Sequence, residues 1–251
     1  MNILVCVKRV PLTGGKIVLT EDERAISTRH LGFTISPHEE CAAEEAVRLI
    51  EQHGGSCAVL TLGPPEAEDQ LRDMMAIGVD RGVHLLTGDE EWDPQATASA
   101  IVEAIRAETD PYDLLLFGNE SADAGNYQVP IRVAHALGLP CATGIKALSV
   151  HDGRIRCEQE VAGGRDVYDL PLPAVVTVKE GLNLPRYPSV PGRLRAKRKP
   201  VAASTPARPD PHLEMMRLLL PPGSGKQVEV LGHGPEAAPA VVGVLSELGL
   251  L

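Results

Sequence analysis

Several features that mark common protein classes are scarce or missing in this sequence of 251 residues. Aromatic residues make up only 3 %, which argues against a base-stacking surface for single-stranded nucleic acid. No apolar run reaches the roughly 20 residues that a membrane-spanning helix needs. The apolar start at residues 2–7 follows no basic segment, so we interpret it as a strand and not as a signal peptide. We therefore expect a cytoplasmic protein without membrane insertion.

Positive charge and chemically reactive clusters are also in short supply. Lys+Arg 24 against Asp+Glu 34 gives a net charge of -10, whereas a generic nucleic-acid binder usually has the opposite balance. The five cysteines lie far apart, form no C-x-x-C pair and do not cluster with histidine, so we predict no metal site. The histidines are scattered, and no G-x-S-x-G elbow is present. The sequence thus offers no positive evidence for a turnover enzyme.

The sequence does contain an alternation of strand and helix patterns. Apolar runs at 3–7, 57–62 and 113–117 predict strands that are buried on both faces. Between the first two, Ser36 can cap a helix that Glu39 completes as a capping box. This order predicts an α/β fold, with a mostly parallel sheet covered by helices on both faces. Residues 141–179 alternate like strands and predict a β-rich extension.

The end of the chain differs in composition from the rest. Residues 203–211 are rich in proline and predict a linker, followed by a short helix from 213, a strand at 227–231 and a helix at 235–248. Such a tail is too small to bury its own core. We therefore predict one domain over 1–200 and a linker with a C-terminal arm over 201–251, which packs on a partner or on the main domain. The run at 223–226 resembles a phosphate-binding loop but lacks its first glycine and its final hydroxyl residue, so we predict a turn.

A polar loop at 118–128 lies between a predicted buried strand and a helix. Ligands bind parallel sheets at the carboxyl ends of their strands, and a helix N-terminus near 126–129 would offer free N–H groups to a phosphate. Ser121, Asn126 and Gln128 could add donors, and Asp123 could orient a ribose or a neighbouring donor. On spacing alone, an ordinary capped helix with a polar loop explains the pattern equally well, because neither common phosphate motif is present.

The stretch 178–200 carries the most specific pattern. It resembles the signature of electron-transfer flavoprotein beta subunits at Asn183, Pro185, Arg186, Tyr187, Ser189, Ala196, Lys197 and Lys199, while Arg193 stands where an aliphatic residue is usual. Other stretches agree, including Val7-Lys8-Arg9-Val10 and Gly78-Val79-Asp80-Arg81-Gly82. The resemblance covers residues 2 to about 200. It implies a Rossmann-like, adenine-nucleotide-binding fold and an electron carrier, not an enzyme.

The resemblance also implies cofactors and their sites. The family heterodimer holds one FAD, chiefly in the alpha subunit, and the beta subunit holds AMP. Transferred to this sequence, the AMP pocket comprises Cys6, Ser36, Pro37, His38, Glu39, Leu62, Asp123, Ala124, Gly125, Asn126, Tyr127, Gln128, Val129, Pro130 and Ile131. Glu160 matches an acidic residue that lies toward the flavin.

The same resemblance implies a partner-recognition loop at about 184–196. Its residues would be Arg186, Tyr187, Val190, Pro191 and Leu194, with Val190 as the apolar anchor. The implied partners are the alpha subunit, flavin-dependent dehydrogenases and a downstream quinone oxidoreductase or other acceptor.

Three alternatives remain open. One is a free-standing adenine-nucleotide-binding protein of similar fold. Another is a bifurcating-type subunit with FAD in place of AMP, although Asn126 and Tyr127 depart from the D-G-D-T-A-Q-V loop of that subgroup. The third is a nucleic-acid binder that uses the five cations within 193–199, which the net charge disfavours.

Overall fold

The computed structural model describes residues 1–12, 14, 17–88, 90–221 and 229–251. The strands are β1 Asn2–Cys6, β2 Val10–Pro11, β3 Phe33–Thr34, β4 Ser56–Gly63, β5 Arg81–Leu86, β6 Leu114–Gly118, β7 Cys141–His151, β8 Arg154–Val161, β9 Gly164–Pro171, β10 Ala174–Val178 and β11 Val201–Ser204. The helices are α1 Pro37–His53, α2 Glu68–Ile77, α3 Pro94–Ala107, α4 Val129–Leu137, α5 Val190–Ala196 and α6 Ala238–Glu247, with 3-10 turns at Pro65–Ala67 and Gly234–Ala237.

Over these residues, nine strands form one sheet in the order β11-β5-β4-β1-β6-β10-β7-β8-β9. Neighbours from β11 to β7 are parallel, and β8 and β9 add an antiparallel extension. β2 and β3 pair separately. The predicted mostly parallel α/β sheet is confirmed. Its β-rich extension is this β7–β9 portion.

Two hydrophobic layers cover the sheet because side chains alternate along each strand. In β1, Ile3 and Val5 pack in the layer with α1 and α2, whereas Leu4 and Cys6 pack in the layer with α3 and α4. All four are buried. This alternation explains why the central strands are apolar throughout: each residue faces one of two helix layers.

The predicted capping box at the start of α1 is present. The backbone N–H of Ser36 donates to Glu39 Oε2 at 2.9 Å, and Pro37 occupies the first turn. Gly54 ends the helix at a positive φ of 74°. Local sequence rules therefore set both ends of this helix.

The structure differs from the predicted elements after residue 178. The segment 181–200 contains a helix, α5, that the sequence pattern did not predict. The predicted linker begins within an edge strand, because β11 pairs in parallel with β5. The helix predicted from Leu213 is wrong: residues 205–221 have no regular structure, and the backbone there bonds to Asp93 and Glu23 instead. The strand predicted at 227–231 and the turn at 223–226 lie partly or wholly outside the described residues.

Candidate functional site

The carboxyl ends of β1, β4 and β6 meet at the middle of the sheet. β1 lies between β4 and β6, and the chain continues from β1 to β4 and β5 on one side before it returns to β6 on the other. The loops on the two sides of β1 therefore diverge and leave a crevice at the carboxyl ends of the strands, which is the usual ligand position in such folds. Cys6 ends β1 beside Leu60 and Phe117, and it is buried. Leu62, near the end of β4, is half-buried. Both predicted residues thus lie at the carboxyl edge of the sheet, Cys6 within the core and Leu62 partly accessible.

Lys8, two residues after β1, is the cation at this crevice. Its Nζ lies 2.6 Å from Asp123 Oδ2 and 2.9 Å from Glu91 Oε1. Burial opposes the charge of Lys8, but the two carboxylates outweigh it and raise its pKa. Burial likewise opposes ionisation of Asp123, and the charge of Lys8 lowers the pKa of that carboxyl nonetheless. The result is a charged Lys8 whose partners could be exchanged for a phosphate.

Glu39 is the buried acid of the crevice. Its carboxylate accepts hydrogen bonds from the backbone N–H groups of Lys8 and Ser36, each at 2.9 Å. Burial raises the pKa of Glu39 to about 8 in spite of these bonds. A Cβ at Gly118 would lie 2.7 Å from Glu39 Cγ, so only glycine allows β6 and α1 to approach this closely. Glu39 therefore fixes the end of β1 against the start of α1.

The first turn of α1 also contacts the loop after β6. Ser36 Oγ donates to the carbonyl oxygen of Glu120 at 3.2 Å. His38 Nε2 lies 3.4 Å from Glu120 Oε1, and His38 Nδ1 accepts from the N–H of Glu180 at 2.7 Å. His38 thus joins the loops that follow β6 and β10.

The loop itself turns tightly before α4. Gly125 donates its N–H to the Ser121 carbonyl at 3.2 Å, and Tyr127 adopts a positive φ of 57°, which is uncommon for a residue with a side chain. α4 then begins at Val129, where the N–H groups of Val129 and Ile131 have no partner within the helix. Gln128 Oε1 accepts from Arg132 Nε at 3.2 Å. The helix start therefore offers donors to an anion.

The structure brings the predicted nucleotide residues together from three segments of the chain: Cys6; Ser36, Pro37, His38 and Glu39; and the loop 123–131. Leu62 adjoins them at the end of the neighbouring strand. The sequence reasoning missed the roles of Lys8, Glu91 and Glu120. The position of Lys8 just after the central strand was a usable signal. The sequence carries no such signal for Glu91, because its contact with Lys8 depends on how the chain folds before α3.

Glu160, predicted to lie toward the flavin, is half-exposed on β8. Its Oε2 lies 3.0 Å from Lys146 Nζ. The preceding residue, Gln159, approaches Gly144, which also lies near Asn119 at the carboxyl end of β6. Glu160 is therefore on the extension, near the crevice edge of the sheet, and open to a second chain.

Arg186 holds the predicted recognition loop against α1. Its backbone N–H and Nε donate to Glu44 Oε2 at 3.0 and 2.9 Å, and its Nη1 and Nη2 donate to Glu51 at 2.6 and 2.9 Å. Hydrogen bonds with Glu51 and Glu44 strongly raise the pKa of Arg186. The guanidinium is thus an internal anchor of the loop, whereas the resemblance implies a contact with a partner.

The loop displays apolar side chains to solvent. Leu184, Tyr187, Val190 and Leu194 are 85, 96, 74 and 59 % exposed, and Pro191 is exposed beside them. We call these five residues the apolar tip. Ser189 Oγ caps α5 by accepting from the N–H of Gly192 at 3.1 Å, and a Cβ at Gly192 would lie only 2.5 Å from the carbonyl oxygen of Ala76. Three residues of the apolar tip, Val190, Pro191 and Leu194, are therefore carried on a closely packed helix, and Leu184 and Tyr187 precede it.

Two cations of the basic run are engaged within the chain. Lys199 Nζ donates to the carbonyl oxygens of Met75, Gly78 and Val79 at the end of α2. Arg193 Nη1 lies 3.2 Å from Asp73 Oδ1. The run at 193–199 is therefore partly a structural connection to α2 and not a free cationic surface.

Two absences concern the described part of the chain only. There, no group of three or more His, Cys, Asp or Glu residues is arranged to hold a metal ion. No helix in that part is long and apolar enough to cross a membrane.

Comparison with known proteins gives a consistent result. The family model described as "Electron transfer flavoprotein domain" matches residues 25–209. The chain is 36 % identical over 231 residues to "Electron transfer flavoprotein subunit beta" of Syntrophomonas wolfei, covering 92 % of this chain and 90 % of that one. It is 33 % identical over 252 residues to the protein of the same name from Bacillus subtilis, covering 98 and 97 %. The resemblance found in the stretch 178–200 is confirmed, and the chain belongs to the electron transfer flavoprotein family.

Proposed function

We propose that this chain is the beta subunit of a heterodimeric electron-transfer flavoprotein. With an alpha partner it carries electrons from flavin-dependent dehydrogenases to a quinone oxidoreductase or another acceptor, in the cytoplasm. The observation that supports this most strongly is the apolar tip, five exposed residues on a loop fixed by Arg186. Exposed apolar residues grouped on a rigid element are typical of protein docking sites. The chain itself is a carrier subunit and not an enzyme.

We propose that AMP occupies the crevice beside Lys8. One phosphate can be held by Lys8 and by the free N–H groups at the start of α4. The two carboxylates paired with Lys8, those of Glu91 and Asp123, are acceptors suited to ribose hydroxyls and repel further phosphates. A monophosphate therefore fits this charge balance better than the diphosphate of FAD or a triphosphate, which disfavours both the bifurcating-type subunit and a free-standing ATP-binding protein.

FAD, which supplies the redox chemistry when bound, would be held chiefly by the alpha subunit. The part of this chain nearest to it would be the extension around Glu160. The side chain of Glu160 is 52 % exposed beside Lys146, so a partner could approach it without rearrangement of the sheet. This chain would position and shield the flavin, and it would contribute no general acid or base.

The C-terminal arm, which follows the α/β domain at 1–200, would complete the heterodimer. Its first part lies on the main domain, where the N–H groups of His212 and Leu213 donate to Asp93 Oδ2 at 2.6 and 3.0 Å. α6 has no buried residue, and its Val241, Val242 and Val244 are exposed. Such an apolar helix needs a covering surface, and the alpha subunit would supply it.

Co-expression with the alpha subunit tests the proposal. A yellow heterodimer that releases one FAD and one AMP, identified by mass spectrometry, is the expected result. A colourless monomer that binds ATP would support the free-standing nucleotide-binding protein, and release of two FAD would support the bifurcating type.

Val190→Asp tests the apolar tip within that heterodimer. Because a carboxylate would be placed in an apolar pocket of the dehydrogenase, we expect the KM for the heterodimer to rise by about tenfold or more. Flavin and AMP content should not change. Val18→Asp, at an exposed valine in the loop before α1, is the control and should leave the KM unaltered. Equal KM values for wild type and Val190→Asp contradict the docking role.

A further inference from the structure

A cleft of about 400 Å³ lies beside the predicted recognition loop. It is bounded by residues 184–188, by α2 and by the start of α1. Ile35, Met74 and Ile77 give it a buried apolar surface, while Leu184 and Tyr187 stand exposed at its rim. The volume is in the range of sites that take a small ligand or a long side chain, about 300–1,000 Å³.

Gln70 is an unsatisfied polar group in this cleft. The residue is only 6 % exposed, and its Oε1 has no hydrogen-bond donor among the residues that the structure describes. An unpaired buried acceptor destabilises a protein, so such groups usually have a partner in the functional state.

Glu40 is a second group that lacks a counter-charge. Burial raises the pKa of Glu40, and the nearby carboxylates of Glu180 and Asp73 raise it further. The two arginines at the cleft are already engaged, Arg186 with Glu44 and Glu51 and Arg193 with Asp73. Within the described chain, no ion pair forms at Glu40, so the cleft combines apolar walls with a free carboxylate and a free amide oxygen.

We propose that this cleft receives an arginine side chain of the flavin dehydrogenase that docks on the apolar tip. The aliphatic stem of that arginine would lie against Met74 and Ile77. Its guanidinium, which offers several N–H donors in one plane, can bond Gln70 Oε1 and the Glu40 carboxylate together. The inference rests on the proposed docking function and adds a second, polar contact to the apolar one.

Gln70→Met separates this role from a structural one. Methionine has nearly the length of glutamine and removes the unpaired oxygen, so the melting temperature of the heterodimer should stay the same or rise. The KM for the heterodimer, measured with a flavin dehydrogenase of the same organism that reduces the wild type, should rise by about tenfold with kcat unchanged. Gln52→Met, at an exposed glutamine of α1, is the matched control and should change nothing.

A small probe provides an independent readout. n-Butylguanidinium should inhibit reduction of the wild-type heterodimer competitively, and Gln70→Met and Glu40→Gln should both relieve that inhibition. If both variants keep the wild-type KM and the same inhibition while Val190→Asp raises the KM, the cleft proposal is overturned and the apolar tip stands. If none of the three variants changes the KM, the docking function itself fails.

Discussion

Two loops of this molecule leave neighbouring strands at the same edge of the sheet, yet they present opposite chemistry. β6 and β10 are paired in parallel with Gly118 opposite Val178, and each loop ends at a helix, α4 or α5. In the loop after β6, Asp123 and Glu120 turn to Lys8 and His38 at the crevice. The loop after β10 carries the apolar tip outward.

The difference lies in which side chains serve as anchors. In the loop after β10 the ionic group is an anchor, because Arg186 binds Glu44 and Glu51 and leaves the apolar residues to face solvent. In the loop after β6 the backbone turn and Ser36 do the anchoring, which leaves Asp123 beside the cation Lys8. Position at the carboxyl edge therefore does not decide whether a loop meets a small anion or a protein.

Among the variants that test this comparison of the two loops, Arg186→Ala should have the largest effect. Glu44 is 2 % exposed at its side chain and would lose its main counter-charge, so the free energy of unfolding should fall by about 1–3 kcal/mol, after allowance for the partial exposure of Arg186. Dehydrogenase docking should weaken as well, because the apolar tip loses its anchor. Urea denaturation checks the stability, with Arg195→Ala at an exposed site of α5 as the control.

The same variant has a pH signature. Burial opposes ionisation of Glu44, but hydrogen bonds from Arg186 outweigh it and lower its pKa in the folded protein. The stability from this pair is therefore present above the unfolded pKa of a glutamate and is lost as the pH falls through the folded value. The difference between wild type and Arg186→Ala should shrink in acid. Equal denaturation midpoints at pH 7 would show that Arg186 is not an anchor.

The central sheet and α1 could be predicted because their signals are local. The apolar run of β1 reflects burial on both faces, and the Ser36–Glu39 capping box formed as the spacing indicated. α5 was not predicted, although Ser189 and Pro191 fit a helix cap and a first turn, because a segment of seven residues is too short to show helical periodicity. It forms because Ser189 caps it and because Gly192 fits against Ala76 of another helix.

Residues that act through distant contacts were invisible in the sequence. Arg186 lies in the predicted loop, but its pairing with Glu44 and Glu51 depends on α1 lying alongside. The segment from Leu213 has a helix-like apolar pattern, but its backbone donates hydrogen bonds to Asp93 and it has no regular structure. In both cases long-range hydrogen bonds determine a conformation or a role that local pattern does not specify.

Lys8→Met tests the loop after β6, whose Asp123 pairs with Lys8, and should have an intermediate effect. The variant removes the cation from the crevice, so AMP should bind about tenfold to a hundredfold more weakly and the AMP retained per heterodimer should fall. The KM for the dehydrogenase should not change, because the apolar tip is anchored separately. Lys8→Arg should recover most of the binding, and Lys197→Met, just after α5, should have no effect. A rise in KM for Lys8→Met would contradict the separation of the two loops.

Glu91→Gln should have the smallest effect and the opposite sign. Glu91 shares Lys8 with Asp123, and its side chain is 64 % exposed, so solvent weakens the pair. Neutralising it should free Lys8 for phosphate and tighten AMP binding by about twofold to fivefold.

Glu90→Gln is a matched control, because Glu90 is adjacent and exposed but pairs with Arg208. A gain from Glu91→Gln alone, measured by calorimetry with AMP, would assign the effect to Lys8. An equal gain from Glu90→Gln would mean that only the net charge of the crevice matters, and that Lys8 does not exchange a carboxylate for the phosphate.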